Sequence, residues 1–178
     1  MSDLDIFDEE NDLEEEEELL TDKYLSFRLG NREFAVPVAV VIEMVAMQDF
    51  TELPEMPDFV IGVINLRGRI IPLFDMRIRF SLPDVQYTDR TCVIIAEVQG
   101  KLVGLVVDAI LDVEYIPGEE IRPAPSFEGD EVSEFVEGIG KTDDRVRILL
   151  NLEDLLRRLN KEDLDLLQLP EKSGEAGQ

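Results

Sequence analysis

Short runs of alternating hydrophobic and polar residues dominate the chain from Tyr24 onward. An alternation of period two, bounded by turn residues, is typical of β-strands. Gly30-Asn31 and Arg67-Gly68 each separate two such runs and predict turns. Because Pro72 cannot donate a hydrogen bond to a neighbouring strand, we expect its strand to lie at a sheet edge or to bulge there. The runs of the first half are YLSFRL, REFAVPV, VIGVINL and RIIPLFD.

The second half of the chain follows the same plan. Gln99-Gly100 and residues 141–144 are its predicted turns, and each half contains one proline-punctuated loop, LPEMPDF or IRPAPSF. Asn151 predicts the start of a terminal helix, LEDLLRRL, with Asp154 as a capping-box-like partner. The strand-like runs of this half are TCVIIAEV, KLVGLVV, EFVEGIG and RVRILLNL.

Two further segments predict short helices. VAVVIEMVA places Val38, Val41 and Val45 at helical spacing, and DAILDV occupies the corresponding place in the second half. The order of features therefore repeats and indicates two small β-barrels of about five strands each. The correspondences include Gly30 with Gly100 at an offset of 70 residues, Glu43 with Glu114 at 71 and Gly62 with Gly138 at 76.

Charge is distributed unevenly along the chain. The net charge is −24, and residues 1–22 contain 12 acidic residues without a lysine or arginine. We expect these residues to form a disordered acidic arm, either a solubilising tail or a segment that docks to a basic partner. Phosphate backbones and anionic membranes attract Lys- and Arg-rich surfaces, so this acidity argues against nucleic-acid binding and direct membrane insertion. The single cysteine, Cys92, fits a reducing cytoplasm.

The sequence lacks the residues that most catalytic and metal sites require. It contains no histidine, the commonest general base and imidazole metal ligand. Neither a phosphate-binding glycine motif nor a calcium-loop spacing occurs. We therefore predict a binding protein without catalytic activity, cofactor or metal. Four arginines surround the apolar run IIPLF and form a basic island that either recognises a partner's carboxylates or pairs internally: Arg67, Arg69, Arg77 and Arg79.

The segment NLRGRIIPLFDMRIRF closely resembles the hallmark hairpin of the CheW-like domain family, and further matches follow in order over residues 23–160. The resemblance implies an all-β fold of two intertwined five-stranded SH3-like β-barrels with short helices, including a C-terminal helix. The first barrel is expected to span roughly residues 35–85 and the second the remainder, with residues 161–178 as a C-terminal tail. Met76 stands where the family usually has leucine.

The resemblance also implies a function. Family members are bacterial, cytoplasmic chemotaxis adaptors that couple methyl-accepting chemoreceptors to the histidine kinase CheA in membrane-associated arrays. They bind the regulatory domain of CheA and the cytoplasmic tip of the receptor. Individual kinase-contact residues remain unassigned. Carried onto this chain, the expected receptor-binding residues are Val38, Val41, Glu43, Met44, Asn65, Arg67 and Gly68.

Three alternative hypotheses remain. In the first, the same module serves a non-flagellar chemosensory pathway for surface motility or gene regulation, and the sequence does not distinguish this pathway from chemotaxis. A regulatory domain fused to a kinase or receiver is disfavoured, since neither fits within 178 residues. A small-ligand-binding barrel predicts an enclosed apolar pocket and ligand-dependent stability.

Overall fold

The computed structural model of the chain describes residues 20–82, 86–124 and 135–157. Most of the predicted acidic arm, part of the IRPAPSF loop and the C-terminal tail lie outside these ranges. The described residues form a mostly β fold, as predicted, with β1 (Lys23–Leu29), β2 (Arg32–Pro37), β3 (Val41–Ala46), β4 (Val60–Leu66), β5 (Arg69–Asp75), β6 (Cys92–Val98), β7 (Lys101–Val107), β8 (Ala109–Tyr115), β9 (Ile121–Arg122), β10 (Val136–Thr142) and β11 (Arg145–Leu150). Two short α-helices follow β5 and β11: α1 (Met76–Arg79) and α2 (Leu152–Arg157).

The strands form two sheets that exchange hairpins. One sheet has the order β8-β1-β2-β11-β10-β9, and the other has the order β3-β6-β7-β5-β4. In the first sheet, the β1–β2 hairpin pairs in parallel with β11 from the second half of the chain. In the second sheet, the β6–β7 hairpin pairs in parallel with β5 from the first half. The five-stranded sheet therefore draws on residues 92–107, beyond the predicted range of 35–85. The intertwined arrangement is confirmed, but the sheets have six and five strands rather than five each, and among the described strands no pairing between edge strands closes either sheet into a barrel.

The repeat extends to irregularities in the ladders. The register of β4 against β5 shifts between Val60 and Gly62, and that of β10 against β11 shifts between Val136 and Gly138. At both glycines a neighbouring backbone comes close. A Cβ on Gly62 would lie 2.3 Å from the carbonyl oxygen of Thr51, and one on Gly138 would lie 2.9 Å from that of Arg122. The repeated glycine spacing thus marks equivalent bulges crossed by another segment.

Both predicted internal helices are wrong, because VIEMVA and AILDVEY form strands β3 and β8. Only Val38–Val40 winds into a single 3₁₀ turn. The register of β3 against β6 shifts between Val41 and Glu43, so that Val41 packs against the main core and Val45 against the core of the five-stranded sheet. Their β-branched side chains favour the extended conformation. Burial alternates along β3 from half-buried to exposed at every residue.

The expectation for Pro72 is also wrong. Its strand, β5, lies between β7 and β4 rather than at an edge. The register shift of this hairpin lies at Val60–Gly62 on β4, not at Pro72. Proline is accommodated because the parallel ladder with β7 begins one residue later, at Leu73. On the other side, Val63 opposite Pro72 exchanges both of its backbone hydrogen bonds with Thr51.

The main hydrophobic core contains buried side chains from both sheets, among them Phe27 and Phe34 of the first and Phe74 and Leu105 of the second. Smaller clusters lie within each sheet. The terminal helix packs Leu152, Leu155 and Leu156 into the shared core. As predicted, Asn151 caps this helix by accepting a hydrogen bond from the backbone N–H of Asp154 at 3.2 Å.

The sequence did not predict helix α1, which follows directly from β5. Asp75 caps it by accepting hydrogen bonds from the backbone N–H groups of Arg77 at 2.9 Å and Ile78 at 3.3 Å. Tyr87 donates a hydrogen bond to the other carboxylate oxygen of Asp75 at 2.7 Å. Among the described residues, no helix is long and apolar enough to cross a membrane.

Candidate partner-binding surface on β3 and the β4–β5 hairpin

Strand β3 forms one edge of the five-stranded sheet and exposes apolar side chains. Ile42 is 52% exposed and Met44 is 48% exposed, on the same face of the strand. Val41 packs against the main core, and Val45 packs against the smaller core of the five-stranded sheet. An exposed pair of large apolar residues on a strand edge is unusual for a surface that stays in water, since such residues mark docking surfaces or aggregation sites.

The tip of the β4–β5 hairpin is a tight turn at Arg67-Gly68, as predicted. Both residues adopt left-handed backbone conformations, with φ of 52° at Arg67 and 85° at Gly68. Such a pair is the signature of a type I′ hairpin turn. Asn65 Oδ1 accepts a hydrogen bond from the Gly68 N–H at 2.9 Å and closes the turn from the side. The turn geometry thus directs the Arg67 side chain away from the sheet.

An ion pair joins this tip to β3. Arg67 Nη2 donates to Glu43 Oε1, although β3 and β4 lie at opposite edges of the sheet. The Arg67 side chain is 70% exposed, whereas that of Glu43 is 28% exposed. The two edges also approach at Thr51, which forms an isolated antiparallel bridge with Val63. Glu43 therefore holds a largely exposed guanidinium at the edge of the sheet that also carries Ile42 and Met44.

The other three arginines of the basic island have different surroundings. Arg77 forms an internal ion pair with Asp108 at 2.6 Å. The guanidinium of Arg79 stacks over the rings of Phe59 and Phe135, 5.1 and 4.1 Å from their centroids. Arg69 lies exposed at the hairpin tip, next to the turn. The island therefore divides into two internal arginines and two that remain available to a partner.

Of the seven predicted receptor-binding residues, an ion pair joins Glu43 to Arg67 and a hydrogen bond joins Asn65 to Gly68. Met44 is exposed on the opposite face of β3 from Glu43. Val38 and Val41 are half-buried against the core. Sequence reasoning missed Ile42, the most exposed apolar residue of β3. The alternation of VIEMVA could have predicted an exposed Ile42, but the segment was interpreted as a helix.

Strand β8 presents an equivalent surface in the other sheet. It is an edge strand like β3, and it exposes Val113 (51%) and Tyr115 (61%). At an offset of 71 residues, these two positions correspond to Ile42 and Met44, and Glu114 between them corresponds to Glu43. Both halves of the fold therefore offer an apolar pair that flanks a glutamate on an edge strand.

The glutamate of β8 pairs with an arginine as well, but below the surface. Arg147 is fully buried and binds Glu114 through two hydrogen bonds, from Nε and from Nη2, each 2.6 Å long. Its Nη1 lies 2.7 Å from Glu33 Oε2, as an ion pair without hydrogen-bond alignment. Arg145 donates a hydrogen bond to Glu33 at 2.7 Å, and this contact lowers the pKa of that carboxyl group below its ordinary value.

The described residues contain no group of three or more Cys, Asp or Glu side chains placed to hold a metal ion. The carboxylates reported above are occupied by arginines or by backbone N–H groups. The arrangement offers docking chemistry: exposed apolar side chains on strand edges and a guanidinium held in a fixed position.

Comparison with known proteins shows which family has this architecture. The model of the CheW-like domain matches residues 23–160. The chain belongs to the CheW-like domain family. The family resemblance seen in the sequence is thereby confirmed.

Individual relatives cover nearly the same region of the chain. The chemotaxis protein CheW of Klebsiella aerogenes is 37% identical over 139 residues, which is 78% of this chain and 84% of that protein. The chemotaxis protein CheW of Helicobacter pylori is 30% identical over 145 residues, or 82% of this chain and 86% of that protein. The crystal structure of the scaffolding protein TtCheW from Thermoanaerobacter tengcongensis superposes with a TM-score of 0.68 at 36% identity, covering 72% of this chain and 88% of that one.

Proposed function

We propose that this protein is a chemotaxis adaptor that couples membrane chemoreceptors to the histidine kinase CheA. Family membership and the names of its relatives, chemotaxis protein and scaffolding protein, support this role. The observation that carries the proposal is the repeated edge-strand surface, because an adaptor needs two separate docking sites and the fold supplies two of similar construction. The protein acts without catalysis, in the cytoplasm, and joins the receptor array through its partners.

The receptor binds at β3 and the β4–β5 hairpin. The apolar side chains of Ile42 and Met44 contact the apolar face of a receptor helix, as in other complexes where an amphipathic helix docks on an apolar surface. Arg67 contacts carboxylate or carbonyl oxygens at the receptor tip, since its fork of N–H donors matches such acceptors. Glu43 positions Arg67, and Asn65 with Gly68 positions the turn that carries it.

The regulatory domain of the kinase binds at β8. Val113 and Tyr115 provide an exposed apolar pair on the edge of the six-stranded sheet. The buried ion-pair cluster behind them fixes β8, β2 and β11 relative to one another. A rigid surface reduces the ordering cost of association. Occupation of β8 leaves the β3 surface free for the receptor, so both partners bind together.

A three-component binding assay tests this proposal. The full chain is mixed with the CheA regulatory domain and a receptor cytoplasmic fragment from the same genome. We expect the wild-type chain to bridge the two, and Arg67→Glu to lose the receptor while it retains the kinase domain. Lys101→Glu, a charge reversal in the β6–β7 hairpin, serves as the control and is expected to bind both. A wild-type chain that binds neither partner would refute the proposal.

A further inference from the structure

A groove with two arginines lies on the six-stranded sheet. It has a volume of about 470 Å³ and lies where the β1–β2 turn meets β11. The lining residues are Arg28, Asn31, Arg32, Glu33, Val146 and Ile148. Its floor is partly apolar, since Val146 is 51% exposed and Ile148 lies half-buried beside it.

The groove is positively charged on a strongly acidic protein. Within the described part of the chain, no carboxylate lies within ion-pair distance of Arg28 or Arg32. Glu33 is occupied by Arg145 and Arg147, both at 2.7 Å. Neither guanidinium therefore has an ion-pair partner among the described residues, although Arg28 lies close enough to Glu33 to act on it electrostatically. This combination of two cations and an apolar floor fits an acidic peptide that also carries large apolar side chains.

The chain itself contains such a peptide. Residues 1–19 carry eleven acidic residues and no basic residue. Within them the sequence DIFDEE places Ile6 and Phe7 between Asp5 and the run Asp8 to Glu10. The acidic side chains match Arg28 and Arg32, and the apolar pair matches Val146 and Ile148.

The tether is long enough for this contact. Leu20 and Arg28 are eight residues apart in the sequence, so at most about 27 Å separates them. The 13 residues from Phe7 to Leu20 span roughly 43 Å when extended. A tethered ligand also has an effective concentration on the order of millimolar, so a weak contact suffices for occupancy.

We propose that the DIFDEE segment of the acidic arm docks intramolecularly in the groove between the β1–β2 turn and β11. The arm is then a ligand of its own domain, held by ion pairs with Arg28 and Arg32. Because the pairs are exposed, docking weakens as salt is added.

Paramagnetic relaxation tests this assignment in the full chain. Cys92→Ser removes the native thiol, and a spin label is attached through Ser2→Cys. At low salt we expect selective broadening of the Val146 and Ile148 methyl signals, with loss of the effect in 1 M salt. Replacing Asp5, Asp8, Glu9 and Glu10 by their amides abolishes the broadening and leaves the folded domain unaltered.

Two double charge reversals complete the test. Arg28→Glu with Arg32→Glu abolishes the broadening, whereas the matched pair Arg90→Glu with Lys101→Glu retains it. Broadening that is absent, that persists in the amide variant or that survives Arg28→Glu with Arg32→Glu overturns the proposal. Broadening at Leu66 and Ile70 instead places the arm on the Arg67 hairpin and also overturns it.

Discussion

Glu43 and Arg67 form an ion pair that ties edge strand β3 to the tip of the β4–β5 hairpin, across 24 residues of sequence. The Arg67 side chain is 70% exposed, whereas Ile42 and Met44, the exposed neighbours of Glu43 in β3, alternate with it along the strand. The corresponding glutamate of the other sheet, Glu114, pairs with a fully buried arginine instead. The fold thus uses one repeated carboxylate in two ways: to present a cation and to fix a strand.

Arg67→Glu is expected to weaken receptor binding at least tenfold, which corresponds to about 1.4 kcal/mol. The free energy of unfolding changes by less than about 1 kcal/mol, because an exposed ion pair contributes little. Titration calorimetry with the receptor fragment measures the first quantity and urea unfolding the second. The exchange Glu43→Arg with Arg67→Glu keeps the pair but reverses it. Full binding by this exchange variant would show that Arg67 makes no direct receptor contact.

Tyr115→Thr is expected to weaken binding of the kinase regulatory domain by at least about 1 kcal/mol, since it removes an exposed aromatic anchor. Threonine preserves the strand preference of the position. Met44→Thr, at the corresponding position of β3, is the matched control and is expected to reduce receptor binding only. Pull-downs with each partner separately check both variants. Equal effects of both variants on both partners would contradict the assignment of one partner to each edge.

Gly68→Ala is expected to lower the free energy of unfolding by about 1–2 kcal/mol, because alanine at a φ of 85° is strained. Gly118→Ala serves as the control: Gly118 has no positive φ and its Cβ would meet no atom within 4 Å. Urea unfolding compares the two. If both substitutions leave stability unchanged, the left-handed turn does not constrain position 68.

Arg147→Ala is expected to cost about 3–5 kcal/mol, because it leaves the carboxylates of Glu114 and Glu33 without their buried partner. Arg145→Ala removes a half-exposed arginine from the same cluster and is expected to lower the free energy of unfolding far less, because solvent screens an exposed ion pair. Thermal and urea unfolding distinguish the two. A mild effect of Arg147→Ala would show that the surrounding strands relax and hydrate the freed carboxylates.

Acid is expected to weaken the fold partly through Glu33. The hydrogen bond from Arg145 lowers the pKa of Glu33 in the folded state, so the unfolded chain binds a proton more readily. The resulting stability is present above the ordinary glutamate pKa and is lost as the pH falls through the lower, folded-state value. Glu33→Gln therefore flattens the acid limb of stability against pH, measured by urea unfolding from pH 7 to 3. Parallel curves for the variant and the wild type would contradict this role.

The sequence by itself determined the local structure of most strands and turns. Period-two alternation located the hairpins, and Gly68 and Gly100 marked their turns, because glycine adopts a left-handed backbone without steric cost. Asn151 marked the start of the terminal helix. The family followed from the order of motifs. These features depend on neighbours within a few residues, so a linear pattern contains them.

Tertiary structure alone decided which strands pair and which charges meet. The helical interpretation of β3 failed because the ladder with β6, which has a register shift between Val41 and Glu43, overrides the local spacing of the valines. Nothing local to Arg77 distinguishes its internal partner, Asp108, from the solvent-facing position of Arg67. Burial of a side chain depends on segments distant in sequence. The two edge strands with exposed apolar side chains, β3 and β8, therefore appear only in the assembled sheets.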